Sequence, residues 1–466
     1  MWPSARGKHK AFIDPIATLP NELLVAIFAE TIRHAYDAPV RISHVCSHWR
    51  RLALCTPALW TIVPLVLSKP VQAVQERIRR SGQRLLEIHG AFGQDDDSIK
   101  IPIPTIEELL DVVITHSHRW RLLHITVMEE EDANIVLDKL KPIGVPRLVS
   151  FILKMDETMC FQLGHDQDEP IELFSGGAPK LTSLHLANVR PGLFCIPSAT
   201  LTSYTLFTCA NGVEFDVVNL ADVLGNMPAL SRVVFQGDMC LISSDPELDQ
   251  DQDDNTPSPP LKLQALRFLE IEGNIGCTAG DMCKLLAAVC AVAPGIQDLV
   301  FTTSRPLDSF QSDRHSAWQN LFEKHLPRAP FPAVRSLVLH YPITTSSASA
   351  IFNGSPHLEY LSLSCLNDQT VIRSLIEATR MISSDSQSSK MPSASLKTLV
   401  LDDWSSDYSL LFELLRVRKQ EGVPLDKVII CSPDSEFFDT FPVGLRNNLE
   451  KLVTLELGTS RPPVYG

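Results

Sequence analysis

The sequence predicts an α/β chain: a short helical unit at the N-terminus, followed by a long array of alternating strands and helices. Three observations carry this reading. Dense amphipathic helical patterns fill residues 19–60. Beyond Trp60 the spacing apolar-x-x-apolar-x-apolar recurs to the end of the chain, with helical patterns in the gaps. The length, 466 residues, exceeds what one compact core holds, so several domains or an elongated repeat array are expected.

The first helix opens at Pro20, which a first turn tolerates because its missing N–H would be unpaired there, with Glu22 at the positive end of the helix dipole. Leu23, Leu24, Ile27, Phe28 and Ile32 give that helix one apolar face. Pro39 restarts the chain, and Ile42, Val45, Cys46, Trp49, Leu52 and Ala53 predict one further amphipathic helix, with Cys46 turned to its core face. Thr56 before Pro57 reads as an N-cap, and Leu59 with Trp60 closes the bundle. A unit of about forty residues cannot bury that many large side chains against one another, so some of this apolar surface must meet another domain or another protein.

The order Leu19-Pro20-x-Glu22-Leu23-Leu24, Ile27-Phe28, Val45-Cys46-x-x-Trp49-Arg50-x-Leu52-Ala53 and Pro57-x-Leu59-Trp60 resembles the F-box. The resemblance implies docking on the Skp-family adaptor of cullin ubiquitin ligases. It also implies that Leu19, Pro20, Leu23, Leu24, Ile27 and Phe28 form the adaptor-facing ridge, with Cys46, Trp49 and Leu52 extending that ridge or holding it from behind. On this reading residues 1–13 are a basic flexible tail, 14–64 the F-box and 65–466 the repeat array.

The repeats read Trp120/Leu123/Ile125, Leu148/Phe151/Leu153, Leu181/Leu184/Leu186, Leu201/Tyr204/Leu206, Leu230/Val233/Phe235 and Leu266/Leu269/Ile271. They continue as Ile296/Leu299/Phe301, Val334/Leu337/Leu339, Leu358/Leu361/Leu363, Leu396/Leu399/Leu401, Leu425/Val428/Ile430 and Leu452/Leu455/Leu457. The last two positions alternate, as a short strand buried on one face requires, and a proline such as Pro146, Pro179 or Pro228 often stands two residues ahead to stop the preceding helix. Val71, Val74 and Ile78 on a helix, then Leu86 and Ile88, cap the start of the array. Thr105 with Glu108 is a capping box, and further helical patterns occupy residues 281–292, 316–326, 371–382 and 408–420. A strand-helix period of about 20 to 40 residues resembles a degenerate leucine-rich-repeat solenoid, or horseshoe, lacking most of the usual post-strand asparagines. A doubly wound parallel sheet is the competing architecture, disfavoured by the absence of a Gly-rich phosphate turn after the first strand. Residues 243–260, with six acids and four prolines, and the serine-rich 383–395 are expected to be disordered surface loops.

The chemistry the chain excludes is as informative. A formal charge of −14 disfavours nucleic acid as a partner, and Arg77, Arg79, Arg80 and Arg84 read as the solvated side of one helix. Eleven cysteines without Cys-x-x-Cys pairs point to reduced, mostly buried thiols in a cytoplasmic or nuclear protein. The N-terminus lacks an apolar signal core, and the longest apolar run, from Leu285, ends at Pro294, so no membrane association is expected. No Gly-x-Ser-x-Gly, Gly-Lys-Ser/Thr phosphate loop or His-Glu-x-x-His occurs, and Phe174-Ser175-Gly176-Gly177 is too short to cradle phosphate. His44/Cys46/His48, His116/His118/His124 and Cys283/Cys290 read as surface or packing residues rather than ligands. Catalytic, cofactor and metal sites are therefore not expected. The reading is a non-catalytic substrate receptor that binds an adaptor, through it a cullin, and an unidentified protein target; a scaffold working outside a ligase is the alternative.

Overall fold

A computed structural model describes residues 16, 19–93, 105–156, 170–189, 192–197, 199–216, 220, 223–242, 263–273, 289, 293–303, 332–340, 345–364, 368–384, 394–402, 408–432 and 443–458. The tail 1–13, the segment 243–260, most of 383–395 and nearly all of the helical patterns at 281–292 and 316–326 lie outside the described residues.

The N-terminal unit holds α1 (Asn21–His34), α2 (Ala38–Val45), α3 (Ser47–Cys55) and one 3₁₀ turn at Pro57–Trp60. Leu24, Phe28, Ile32, Ala38, Ile42, Ala53, Leu59 and Trp60 form its core, and the Trp60 indole N–H donates to the Ala53 carbonyl at 2.8 Å. The expected single apolar face of α1 divides in two. At about 100° per residue the five side chains span half the helix circumference. The small unit covers one side only, burying Leu24, Phe28 and Ile32 and leaving Leu23 and Ile27 outside. The expected second helix is two helices, broken where Cys46 adopts an extended backbone (φ −157, ψ 170) and caps α3, its Sγ accepting from the Trp49 N–H at 3.4 Å. Cys46 and Val45 are accordingly exposed rather than turned to the core. Thr56 does not cap the following turn either; its hydroxyl donates back to the Leu52 carbonyl at 2.7 Å.

The remaining strands, in chain order, are β1 (Ile62–Val66), β2 (Leu86–Phe92), β3 (Trp120–Val127), β4 (Ser150–Met155), β5 (Ile171–Glu172), β6 (Ser183–Ala187), β7 (Phe194–Cys195) and β8 (Ser203–Asp216). They continue as β9 (Arg232–Ile242), β10 (Phe268–Gly273), β11 (Asp298–Thr303), β12 (Ser336–Leu339), β13 (Tyr360–Ser364), β14 (Thr398–Asp402), β15 (Lys427–Cys431) and β16 (Thr454–Gly458). β5 and β7 pair separately; the other fourteen form one sheet whose spatial order follows the chain, and every pair is parallel.

The register aligns the repeats. The second apolar positions make one continuous row, Leu123–Phe151–Leu184–Tyr204–Val233–Leu269–Leu299–Leu337–Leu361–Leu399–Val428–Leu455, and the third positions make the row two residues on. A backbone device repeats with them. The carbonyl just before a strand accepts two successive N–H groups from the next repeat: Thr202 from Ser231 and Arg232, Ser231 from Arg267 and Phe268, Arg335 from Glu359 and Tyr360, Lys397 from Asp426 and Lys427. Each pair holds a strand start to its neighbour without any side chain, so the sequences there can vary.

The helices between the strands are α4 (Val71–Arg80), α5 (Ile106–Ile114), α6 (Glu130–Leu140), α7 (Thr345–Gly354), α8 (Asp368–Ser384), α9 (Tyr408–Gln420) and α10 (Val443–Glu450). Their apolar sides, among them Val74, Leu110, Val136, Ile351, Leu375 and Leu414, join the two strand rows in one core cluster, so the helices cover one face of the sheet. The capping box is present, Glu108 N–H to the Thr105 hydroxyl and Thr105 N–H to the Glu108 carboxylate, both 3.1 Å. α6, α7, α10, β1 and the β5–β7 pair were not anticipated.

Several expectations are corrected. Burial on a single face fails in the second half of the sheet: Val234, Phe268, Val300 and Val338, then Val400, Ile429 and Cys431, are buried on the face away from the helices. Their triplets, Val233-Val234-Phe235 and Leu399-Val400-Leu401 for example, are apolar without alternation, as strands covered on both sides are. The solvated face read for Arg77, Arg79, Arg80 and Arg84 holds only in part: Arg79 and Arg84 are exposed, but Arg77 is buried and Arg80 lies over Trp60 at 4.5 Å. The thiols are not mostly buried where their burial is described: Cys46, Cys55 and Cys195 are exposed and Cys431 is buried, each a free thiol. Phe174-Ser175-Gly176-Gly177 is a packing turn: Phe174 is buried in the left-handed region (φ 58) with its ring 5.1 Å from Phe151. A Cβ on Gly176 would stand 2.5 Å from the Gly144 nitrogen.

Candidate functional site

The first candidate surface is the outward side of α1. Pro20 has an extended backbone (φ −56, ψ 146), and its carbonyl accepts from the N–H groups of Leu23 and Leu24, both at 3.1 Å. That start sets the rotation of the helix, so Leu23 and Ile27, one turn apart, lie in water at 52% and 51% exposure. Ile16 and Pro20 precede them on the exposed surface and Leu19 is half-buried. The helix core beneath is complete: Leu24 and Phe28 are each 2% exposed, with the Trp49 ring edge-on to Phe28 at 4.8 Å. Trp49 and Leu52 are half-buried against that core, which places them behind the outer ridge, and Cys46 is exposed beside Val45. Large aliphatic side chains held in water by a finished core are what a docking surface supplies, at about 25 cal/mol per Å² when a partner removes them from solvent.

The unit is joined firmly to the sheet. The Arg77 guanidinium, lowered to about 10 by burial, donates to the Ile62 carbonyl and stands 5.7 Å from the Trp60 ring, with Asp37 as the charge opposing that shift. Arg80 also bonds Glu76 at 2.8 Å, and the Tyr36 ring, from the α1–α2 turn, lies 5.2 Å from the His89 ring on β2. Helical unit, β1, α4 and β2 thus share contacts at three points.

A second surface is the helix-free face of the first strands. His89, His124, Ile152, His185 and Thr205 occupy one register row, and Ala91, Thr126, Lys154, Ala187 and Phe207 the row two residues on. The rings of His89 and His124 are 5.6 Å apart. Burial lowers His89 and His185; His124 falls to about 4 through burial first, then the charge of Lys154 and the neighbouring imidazoles.

Of the remaining histidines, His116 and His118 lie near the C-terminal end of α5, ring centroids 6.3 Å apart, while His124 is on the helix-free face, so the three are not brought together. His116 and His118 border a groove of about 870 Å³ between the C-terminal ends of α4 and α5. Its cations are occupied: Arg79 binds Glu76 at 2.6 Å, and Arg119 donates to the Ser81 hydroxyl and the Arg84 carbonyl, both at 2.7 Å. His48 contacts Arg51 at 3.3 Å. Among the described residues no group of three or more His, Cys, Asp or Glu is placed to hold a metal ion, and no helix is long and apolar enough to cross a membrane.

Compared with known families, residues 16–63 match the F-box-like family. The N-terminal unit is therefore an F-box-like domain, a class of module that acts in protein–protein interaction and generally binds Skp-type adaptors. No curated protein matches the chain. Sequence reasoning named every residue of the exposed α1 ridge except Ile16; what it did not separate were the buried and exposed members.

Proposed function

We propose that the chain is the substrate-recognition subunit of a cullin-type ubiquitin ligase. The F-box-like unit docks on a Skp-family adaptor and, through it, a cullin; the strand-helix array, read as leucine-rich repeats, holds a protein target. The observation that carries the first half is the pairing of the F-box-like match over residues 16–63 with a ridge, Leu23 and Ile27, held half in water by a core that does not need it. What supports the second half is the parallel sheet with spatial order following the chain and helices on one face, the arrangement stacked repeats produce. The chain itself is non-catalytic in this reading. It acts by proximity, raising the effective concentration of a target lysine at the charged ubiquitin carrier, and the joint at Arg77, Trp60 and His89 keeps that spacing fixed. Such a receptor works in the cytoplasm or nucleus.

The test is co-expression of the full chain with its Skp-family adaptor and a cullin, followed by size-exclusion chromatography. A ternary complex is expected. An adaptor complex that excludes the cullin would replace the ligase reading with a scaffold, and a folded chain that binds no adaptor would end both.

A further inference from the structure

The helix-free face of the sheet changes character along its length. From β9 to β15 its central row is mostly buried, as Val234, Val300, Val338, Val400 and Ile429 are, with Glu270 half-buried among them, but over β3, β4, β6 and the start of β8 the same row, His124, Ile152, His185 and Thr205, is half-buried throughout and mostly polar. In that open sector Lys154 stands between the short side chains of Thr126 and Ala187, with His124 and His185 in the adjacent row on either side of Ile152. Lys154 lies close enough to both imidazoles for its charge to act on each. Around this cluster among the described residues stand Tyr36 from the α1–α2 turn, Glu87 and His89 from β2, Arg121 from β3 and, two residues beyond Lys154, Asp156, which is itself engaged. Glu87 is already paired with Arg121, and the next acid along the row, Glu270, is paired with Arg232 at 3.2 Å. Lys154 thus has no ion-pair partner among the described residues, on a chain where 55 acids outnumber 41 bases.

We propose that this sector docks an acidic segment of a target polypeptide, with Lys154 as the fixed charge and His124 and His185 as donors that strengthen on taking up protons. This rests on the receptor reading above and names the chemistry of the target it would accept. Burial is the first cause that keeps both imidazoles neutral and the charge of Lys154 the second; a carboxylate placed beside Lys154 offsets the second and itself favours the protonated rings, so binding draws protons onto them. Affinity then rises as pH falls, by up to about tenfold per pH unit for each proton taken up.

The experiment uses the full chain and fluorescein-labelled hexaglutamate, read by fluorescence anisotropy at low ionic strength between pH 7.5 and 6.0, with hexaglutamine as the neutral control. Binding of hexaglutamate only, tightening at lower pH, is expected. Lys154→Ala should weaken it at least fivefold while Lys154→Arg retains it, which separates lost charge from lost fold. His124→Gln/His185→Gln should flatten the pH dependence. The proposal is overturned by equal binding in Lys154→Ala, by equal loss in the exposed control Lys69→Ala, by pH-independent binding, or by a phosphoserine peptide binding where hexaglutamate does not. Leu23→Ala/Ile27→Ala should bind hexaglutamate normally, so failure of adaptor docking and failure of this patch are read separately.

Discussion

Replacing Leu23 and Ile27 together by alanine removes apolar surface from the α1 ridge without touching the core beneath it. Full burial of a leucine or isoleucine is worth about 1.5–3 kcal/mol. The fold leaves each about half exposed, at 52% and 51%, so docking gains the remaining half. That is about 1 kcal/mol per side chain and about 2 kcal/mol for the pair, or about thirtyfold in Kd. Phe28, one residue from Ile27, is the internal comparison. It is 2% exposed and packed on Trp49, so Phe28→Ala should cost about 3–5 kcal/mol of stability and unfold the unit. Isothermal titration of the chain with purified adaptor gives the Kd, and thermal melts of the chain alone give the stability. The double variant should melt as the wild type does and bind about thirtyfold more weakly. Wild-type affinity in the double variant, or an Ile27→Ala melt lowered as far as that of Phe28→Ala, would refute the division of α1 into a core side and a docking side.

Two further outcomes follow from the sheet. His124 is held at about 4 in the folded chain against an ordinary 6.5, so between those values the unfolded chain binds the extra proton. Stability is complete above pH 6.5 and is lost as pH falls towards 4, with His89 and His185 shifted in the same direction. His124→Gln should therefore reduce the fall in melting temperature between pH 7 and pH 5, and an unchanged fall would remove His124 as a cause. Gly176→Ala should destabilise the chain by about 1–3 kcal/mol, because the added carbon meets the backbone of Gly144, which cannot rotate away. A denaturant melt indistinguishable from wild type would show that this close approach does not exist.

Much of the sheet was legible because each strand carries its own signal. The second and third apolar positions of every repeat, from Leu123 and Ile125 to Leu455 and Leu457, are the residues that line up across the register. The α9 helix and the Thr105–Glu108 capping box were readable for the same reason, since spacing within one turn decides them. β1 escaped because Ile62-Val63-Pro64-Leu65-Val66 has no repeat spacing and contains a proline, which it tolerates at the edge of the sheet. The break at Cys46 escaped because Ile42, Val45, Trp49 and Leu52 keep helical spacing across it, and the thiol that caps α3 is a rare N-cap.

The sequence by itself determined the strands that carry the repeat spacing, the helices at Thr105, 371–382 and 408–420, and that the N-terminal unit has more apolar surface than it can bury. These are local or compositional properties, fixed by spacing along the chain. Only the tertiary structure decided which of two apolar neighbours, Ile27 or Phe28, is core and which is surface, and that Arg77 is buried at a joint. Only the structure set Lys154 among histidines from strands thirty residues away on either side. Those outcomes depend on what packs against each face, and a partner face is supplied by chain distant in sequence.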